Sequence, residues 1–327
     1  MALDEAYLPG VTPREFILQL RRDHPRWARL LDFREAALLE ASTYTINSNE
    51  FESDSGGRGD SYRCAQRARN ARQLGIHRLL GKACPGSLSA RLVDVLGGDG
   101  VIADTARRSP AYRHIDVLTG DVSATMVRAA LSAGLPAIRQ PAQRLLLRDD
   151  AVDAVVFAYG THHIPQSDRF RAFREAYRVL RPGGRIVVHD FDHSSRMARW
   201  FSDVVDTYSA AGHDYEHFSA VSMRNHLAEG GFLRVWVEEM YDPLRLYAAT
   251  PKAAVLALCE HLRLMYGLTD AARLHGDRWL MKQITTCFKT PASVPHKSGT
   301  RLTVRRADIG FVAELPRLAL VAVGMKP

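Results

Sequence analysis

The sequence predicts an α/β protein: a doubly wound, mostly parallel sheet with an N-terminal helical cap and a helical insertion before the last strand. Three observations carry that prediction. From residue 90 onward, short apolar runs alternate with amphipathic ones, from RLVDVLGG, GVIADTARR and HIDVLTGD through AVDAVVFAYG and RFRAFREAYRVLRPGG to RIVVHDF. This is the texture of strands joined by crossover helices. The first of these strands runs straight into a glycine-rich turn at Gly97, Gly98 and Gly100. Arg181-Pro182-Gly183-Gly184 then stops a helix just ahead of the fifth strand, since proline cannot continue it and glycine accepts a left-handed conformation. In such sheets ligands bind beyond the carboxyl ends of the strands, so the chemistry is sought there.

The elements before the sheet are helical. Residues 12–42 open with Thr12 and Pro13, a good N-cap and first-turn pair, and carry Phe16, Ile17, Leu20, Trp27, Leu30, Leu31, Leu38 and Leu39 at helical spacings. Pro25 should break that run. Residues 45–60 are polar and glycine-containing and read as a loop, 61–82 read as a second helical stretch, and CPGS marks a boundary. The division expected is a cap over 1–88 and a ligand-binding domain over 89–327. Within the latter, 244–310 form a helical insertion with helices near 251–267 and 270–288. Cap and insertion would roof the strand ends, exclude water and select a substrate. Contact within a homodimer is their alternative duty.

Composition narrows the function classes. The chain has 327 residues, 46% hydrophobic and 24% charged, which excludes disorder throughout. No run approaches the ~20 apolar residues of a membrane span. The opening MALDEAYLPG lacks the basic and apolar regions of a secretory signal. Cys64, Cys84, Cys259 and Cys287 are far apart and form no C-x-x-C pair. A cytoplasmic protein without a membrane partner is expected. The net charge of +8 raises the question of nucleic acid, but 38 of the 44 basic residues are Arg, scattered among acids rather than gathered in a block. A nucleic-acid partner is therefore not expected, while an anionic small-molecule substrate or an acidic carrier protein remains compatible with the charge.

The first turn places backbone N–H groups where no Cβ obstructs a ligand. Asp121 follows the second strand, 21 residues past Gly100, where a carboxylate can accept both hydroxyls of a ribose. Ser123 then serves as an N-cap for the next helix. Together they describe a sheet that binds a nucleoside.

Residues 141–155 (PAQRLLLRDDAVDAV), 162–164 (HHI) and 173–191 (FREAYRVLRPGGRIVVHDF) then resemble the class I S-adenosylmethionine-dependent methyltransferase family, in its small-molecule branch with UbiE-like core motifs. The resemblance covers about residues 90–243 and resumes at the last strand, PRLALVAVGMKP. It implies S-adenosyl-L-methionine as cofactor and methyl transfer to a small molecule of specialised metabolism. By that resemblance Asp94, Gly98 and Gly100 surround the amino-acid end, Asp121 with Val122 holds the ribose, Met126, Ala142 and Gln143 border adenine, and Tyr159 faces the sulfonium. Two positions depart from the family: Leu96 replaces the usual first glycine of the turn, and Pro141 stands where an aspartate commonly takes the adenine amino group.

Methyl transfer is an in-line displacement whose main demand is to hold nucleophile and methyl ~3–3.5 Å apart in a dry pocket. A base is needed only when the nucleophile must lose a proton. His163, after the fourth strand, is the first choice and His189, on the fifth, the second. Tyr44, Tyr62 or Arg63 is expected to close over the cofactor. His189-Asp190-x-Asp192-His193 has the residue types of a metal cluster, but neighbours on a strand point to opposite faces, so no metal is assigned. The rival readings are cyclisation without methyl transfer, including intramolecular attack within the cofactor that releases methylthioadenosine, a cofactor-sensing binding module, and a nucleic-acid methyltransferase. The last lacks the Asn/Asp-Pro-Pro-aromatic signature after strand four, where Ala158-Tyr159-Gly160-Thr161 stands.

Overall fold

A computed structural model describes residues 6–42, 50–52, 58–209, 212–289 and 300–327. Ten strands occur among them: β1 (Ala90–Asp94), β2 (Ile115–Asp121), β3 (Ala137–Arg139), β4 (Val152–Phe157), β5 (Leu180–Asp190), β6 (Leu233–Tyr241), β7 (Leu244–Ala248), β8 (Thr303–Arg306), β9 (Phe311–Leu315) and β10 (Leu318–Met325). Seven form one sheet in the order β3-β2-β1-β4-β5-β10-β6. β1 to β5 pair in parallel, and β10 runs antiparallel between β5 and β6. The order reverses beside β1, so β1 and β4 diverge toward a switch point at their carboxyl ends. Apart from Arg91 and Asp153 near their starts, both central strands are buried, as expected of a sheet covered on two faces.

The run at 12–42 becomes three helices. Thr12 caps Pro13–Asp23 in a reciprocal capping box with Glu15, and the helix ends at His24, the residue before Pro25. Short Pro25–Ala28 and Glu35–Ser42 follow. Trp27 ties this layer to the sheet by donating its indole N–H to Asp116 at 2.9 Å. The stretch at 61–82 is likewise two helices, Gly59–Gln66 and Gln73–Ala83.

Arg181–Gly184 differ from the expectation of a separate stop. The helix Gln166–Val179 gives way directly to β5, and Pro182, Gly183 and Gly184 lie inside a strand whose register with β4 shifts between Val152 and Ala154. Gly183, at φ +78°, makes the irregularity feasible, and Lys326 at the end of β10 clips it through two backbone hydrogen bonds of 2.9 Å.

The insertion needs a larger correction, because it is not wholly helical. β7, β8 and β9 form a separate antiparallel sheet in the order β7-β9-β8, packed on the helix Pro251–Met265. The second helix, Thr269–Cys287, is interrupted at Gly276, whose φ is +73°. Strands of four or five residues, with two helices between β7 and β8, leave too short an alternation to stand out in sequence. Beneath this sheet a second apolar core gathers Trp200, Phe201, Leu258, Leu262 and Phe288, separate from the core of the main sheet. Among the described residues no helix is long and apolar enough to cross a membrane.

Candidate active site

The first site element is the turn after β1. Gly98 has φ +55° and open space where a Cβ would stand, so a ligand can approach its backbone. Gly100, at φ +84°, serves packing instead: a Cβ there would lie 2.6 Å from Leu135. Asp94 lies beneath the turn, fully buried, and neither carboxylate oxygen meets a partner among the described residues. Burial first, and the charge of Asp121 second, hold its pKa well above the usual carboxylate range.

Asp121 caps the end of β2. It accepts the backbone N–H of Gly98 at 2.8 Å and that of Ser123 at 2.9 Å, while Ser123 Oγ caps the helix Ala124–Ser132 through Met126 N–H. Burial pushes the Asp121 pKa up to about 6 despite those two donors.

At the end of β4, Tyr159 adopts a left-handed backbone with φ +62°, an arrangement an aromatic residue takes only when its surroundings enforce it. Its hydroxyl donates to Asp242 at 3.2 Å, its backbone N–H lies 3.4 Å from His189 Nδ1, and the Arg72 guanidinium sits 4.7 Å above its ring. Asp242 is fixed in turn by Arg317 at 2.6 Å. The helix Gln73–Ala83 passes so close that a Cβ on Gly75 would fall 1.8 Å from Asp242. Burial, then the Asp242 charge, raises the Tyr159 pKa well above its ordinary value, so the phenol keeps its proton.

A cavity opens over these strand ends. On one side Leu96, Gly98, Asp121, Val122 and Met126 form its wall; on the other stand Phe51, Tyr62, Phe191, Phe201 and Tyr266. Tyr159 and Gly160 also line it, with His162, His163 and His213. His163 sits on the one-turn helix Thr161–His163, packed against Phe51 and Tyr215, with Nδ1 3.5 Å from Glu50. Burial chiefly, then the charges of His162 and Arg58, lower its pKa well below the ordinary histidine value. It is a neutral imidazole in a dry wall.

Of the residues singled out in sequence, the structure brings Gly98, Asp121, Val122, Met126, Tyr159, Tyr62 and His163 to this cavity. Others stand elsewhere. His189 is wholly buried below Tyr159, 3.5 Å from Asp242, and supports the tyrosine rather than facing the cavity. Arg63 pairs with Asp60 one turn back on its own helix, because the helix Gly59–Gln66 turns Tyr62 inward and Arg63 outward. Ala142 and Gln143 are buried outside the cavity wall, with Gln143 donating to Asp168 at 2.9 Å. Tyr44 lies outside the described residues.

Sequence reasoning missed Arg58, Arg72, Arg317, Asp242 and His213. The three arginines are buried, and Arg72 keeps Nε and Nη1 without an acceptor among the described residues. A buried guanidinium with free donors is costly unless an anion joins it. Nothing in ARNARQLG marks Arg72 among 38 arginines; only packing distinguishes it.

These groups fit S-adenosylmethionine. Asp94 offers unpartnered acceptor oxygens under the turn, Arg72 offers unpartnered donors on the wall, and Asp121 offers a carboxylate two residues from a helix N-cap. A zwitterionic amino-acid end and a ribose are the chemistry such a set answers.

Comparison with known proteins agrees. Residues 93–188 match the family described as a methyltransferase domain. That match and the strand order support a class I S-adenosylmethionine-dependent methyltransferase domain over this part of the chain, with S-adenosylmethionine as its cofactor. Within that class it is similar to ubiquinone/menaquinone biosynthesis C-methyltransferases. It is 31% identical to that of Bartonella tribocorum over 149 residues, 42% of this chain and 56% of the relative. It is 29% identical to that of Xanthomonas campestris over 196 residues, 49% of this chain and 74% of the relative. The chain spans just over half the length of several of the curated relatives it matches. Among solved structures, phosphoethanolamine N-methyltransferase 2 of Haemonchus contortus aligns with a TM-score of 0.50 and 15% identity, covering 83% of this chain and 58% of that one. That likeness is one of fold.

Proposed function

We propose that the protein transfers a methyl group from S-adenosylmethionine to a small acceptor with a flat, largely apolar body, an intermediate of a biosynthetic route. The observation that carries this reading is the continuity of one cavity from the Gly98–Asp121 side to the wall of Phe51, Tyr62, Phe191, Phe201 and Tyr266. Aromatic faces at that distance from the nucleoside side suit an unsaturated or aromatic acceptor. The names of the curated relatives favour carbon as the methylated atom.

When bound, the cofactor supplies an electrophilic methyl group on sulfur. The chain supplies everything else. Asp121 accepts the ribose hydroxyls, Arg72 pairs with the amino-acid carboxylate, and the aromatic wall keeps water from the reacting centre. Tyr159, locked by Asp242 and by its own backbone, fixes the boundary between cofactor and acceptor. His163 takes the proton that the acceptor loses, and Glu50, 3.5 Å from its Nδ1, steadies the imidazolium so formed.

The test is incubation of the purified protein with S-adenosylmethionine labelled in the methyl group and a panel of phenols, quinols and β-dicarbonyl compounds. Labelled product with stoichiometric S-adenosylhomocysteine is the expected result. Release of methylthioadenosine would instead show intramolecular attack within the cofactor, and turnover of an acceptor without cofactor consumption would show a cyclase.

A further inference from the structure

Three histidines from two distant parts of the chain converge behind the cavity, two of them, His162 and His213, lining it. His162 follows β4, whereas His213 and His217 lie on the irregular segment before the helix Ala220–Glu229. One nitrogen from each can be chosen so that the three lie within 4.8 Å of one another. Their rings are held from behind. Asp190, fully buried at the end of β5, contacts Nδ1 of His162 at 3.0 Å and Nδ1 of His217 at 3.0 Å. Its remaining capacity goes to the backbone N–H groups of His162 and Phe191, each at 2.7 Å.

With Nδ1 of two rings committed to one carboxylate as donors, Nε2 of each becomes the lone-pair nitrogen. Nε2 of His217 is buried with no partner among the described residues, and so are both nitrogens of His213, whose ring stacks on Phe201 at 4.4 Å. His162 and His213 are each more than nine-tenths buried and line the cavity. Solvated or capping histidines do not leave lone pairs collected in an apolar wall. A carboxylate behind an imidazole is the arrangement that orients metal-ligating histidines and sharpens their basicity.

We propose that His162, His213 and His217 bind one divalent first-row transition metal ion, with Asp190 positioning two of the three rings. Three neutral imidazoles select zinc, iron, cobalt or nickel over magnesium and calcium, which prefer oxygen. Ligation by three protein groups leaves a coordination position open, and here it faces the cavity. An oxygen of the acceptor, an enol, phenol or keto group, would fill that position and lose its proton more readily there. The ligand nitrogens, now within 4.8 Å of one another, need to close to roughly 3.3 Å for tetrahedral bonds of ~2.0–2.1 Å, and the His213 ring, which Asp190 does not hold, is the one that would move.

The test uses the full chain, free of any histidine tag, stripped with chelator and titrated with cobalt chloride in the absence of S-adenosylmethionine, so that it is independent of the methyl-transfer reading. Intense visible absorption of four- or five-coordinate cobalt, saturating at one equivalent, is expected. His217→Gln and His213→Ala should abolish that absorption, and Asp190→Asn should weaken cobalt binding about 10- to 100-fold. S-adenosylhomocysteine binding serves as the check that each variant is folded. A wild-type spectrum identical to six-coordinate aqueous cobalt would overturn the proposal whatever the variants do, and so would unchanged cobalt uptake in folded His217→Gln.

Discussion

Asp121 accepts the backbone N–H of Gly98 at 2.8 Å, joining the turn after β1 to the end of β2 across the floor of the cavity. The bond aims the carboxylate, and burial raises its pKa to about 6.

Asp121→Ala should therefore weaken S-adenosylhomocysteine binding about 10- to 150-fold, from the loss of a charged acceptor worth about 1.5–3 kcal/mol. Titration calorimetry on the variant checks this. Affinity equal to wild type would remove Asp121 from the ribose.

The raised pKa gives cofactor affinity a pH dependence. Ribose hydroxyls donate to the ionised carboxylate, so the ligand-free form must lose a proton before it binds well. Lowering pH from 8 to 5 crosses the value of about 6, and affinity should fall about tenfold. The sign for folding is the opposite: a carboxyl whose pKa is raised in the folded state favours that state below the ordinary carboxyl pKa. That contribution is lost as pH climbs through about 6. Ligand-free melting temperature and cofactor affinity should thus move in contrary directions over this window for this group, with Asp121→Asn removing both slopes.

Arg72 separates the two ends of the cofactor. Arg72→Met should weaken S-adenosylmethionine about 10- to 100-fold and leave methylthioadenosine, which lacks the amino-acid carboxylate, nearly unaffected. Equal loss for both ligands would mean that the substitution disturbs the wall rather than an ion pair.

His163 sits on the acceptor wall, past the residues assigned to the nucleoside. His163→Ala should lower the methyl-transfer rate about 10²- to 10⁴-fold while cofactor affinity stays within about twofold. Single-turnover measurement under saturating cofactor isolates that effect.

The close passage at Gly75 makes a stability prediction. A methyl group there would enter Asp242, so Gly75→Ala should destabilise the fold by about 1–3 kcal/mol and displace Tyr159. Denaturant unfolding followed by tryptophan fluorescence reads the first effect.

The main sheet and its cofactor floor were legible because local chemistry dictates them. The turn at Gly98 directly follows β1, and Asp121 and the cap Ser123 directly follow β2, so each is marked by its own strand end. The far wall was not legible. Arg72, His213 and Arg317 reach the cavity from three separate segments, with Asp242 behind Tyr159 from a fourth, and each looks ordinary in its own segment. Asp190 shows the limit well. Strand alternation correctly separated it from His189, yet its partners are His162 and His217, 28 and 27 residues away. His189 was placed one layer too high, since β5 turns its ring under Tyr159. The small β7-β9-β8 sheet was lost because its strands are short and β7 lies two helices ahead of the β8–β9 hairpin.

The central claim is that one cavity holds cofactor at Gly98 and Asp121 and acceptor beneath the aromatic and histidine wall. A crystal structure with S-adenosylhomocysteine tests it most directly. The account predicts both ribose hydroxyls within hydrogen-bond distance of Asp121, the carboxylate at Arg72, and sulfur turned toward Tyr159 and His163. A nucleoside bound away from Asp121, or sulfur facing away from the histidines, would contradict it.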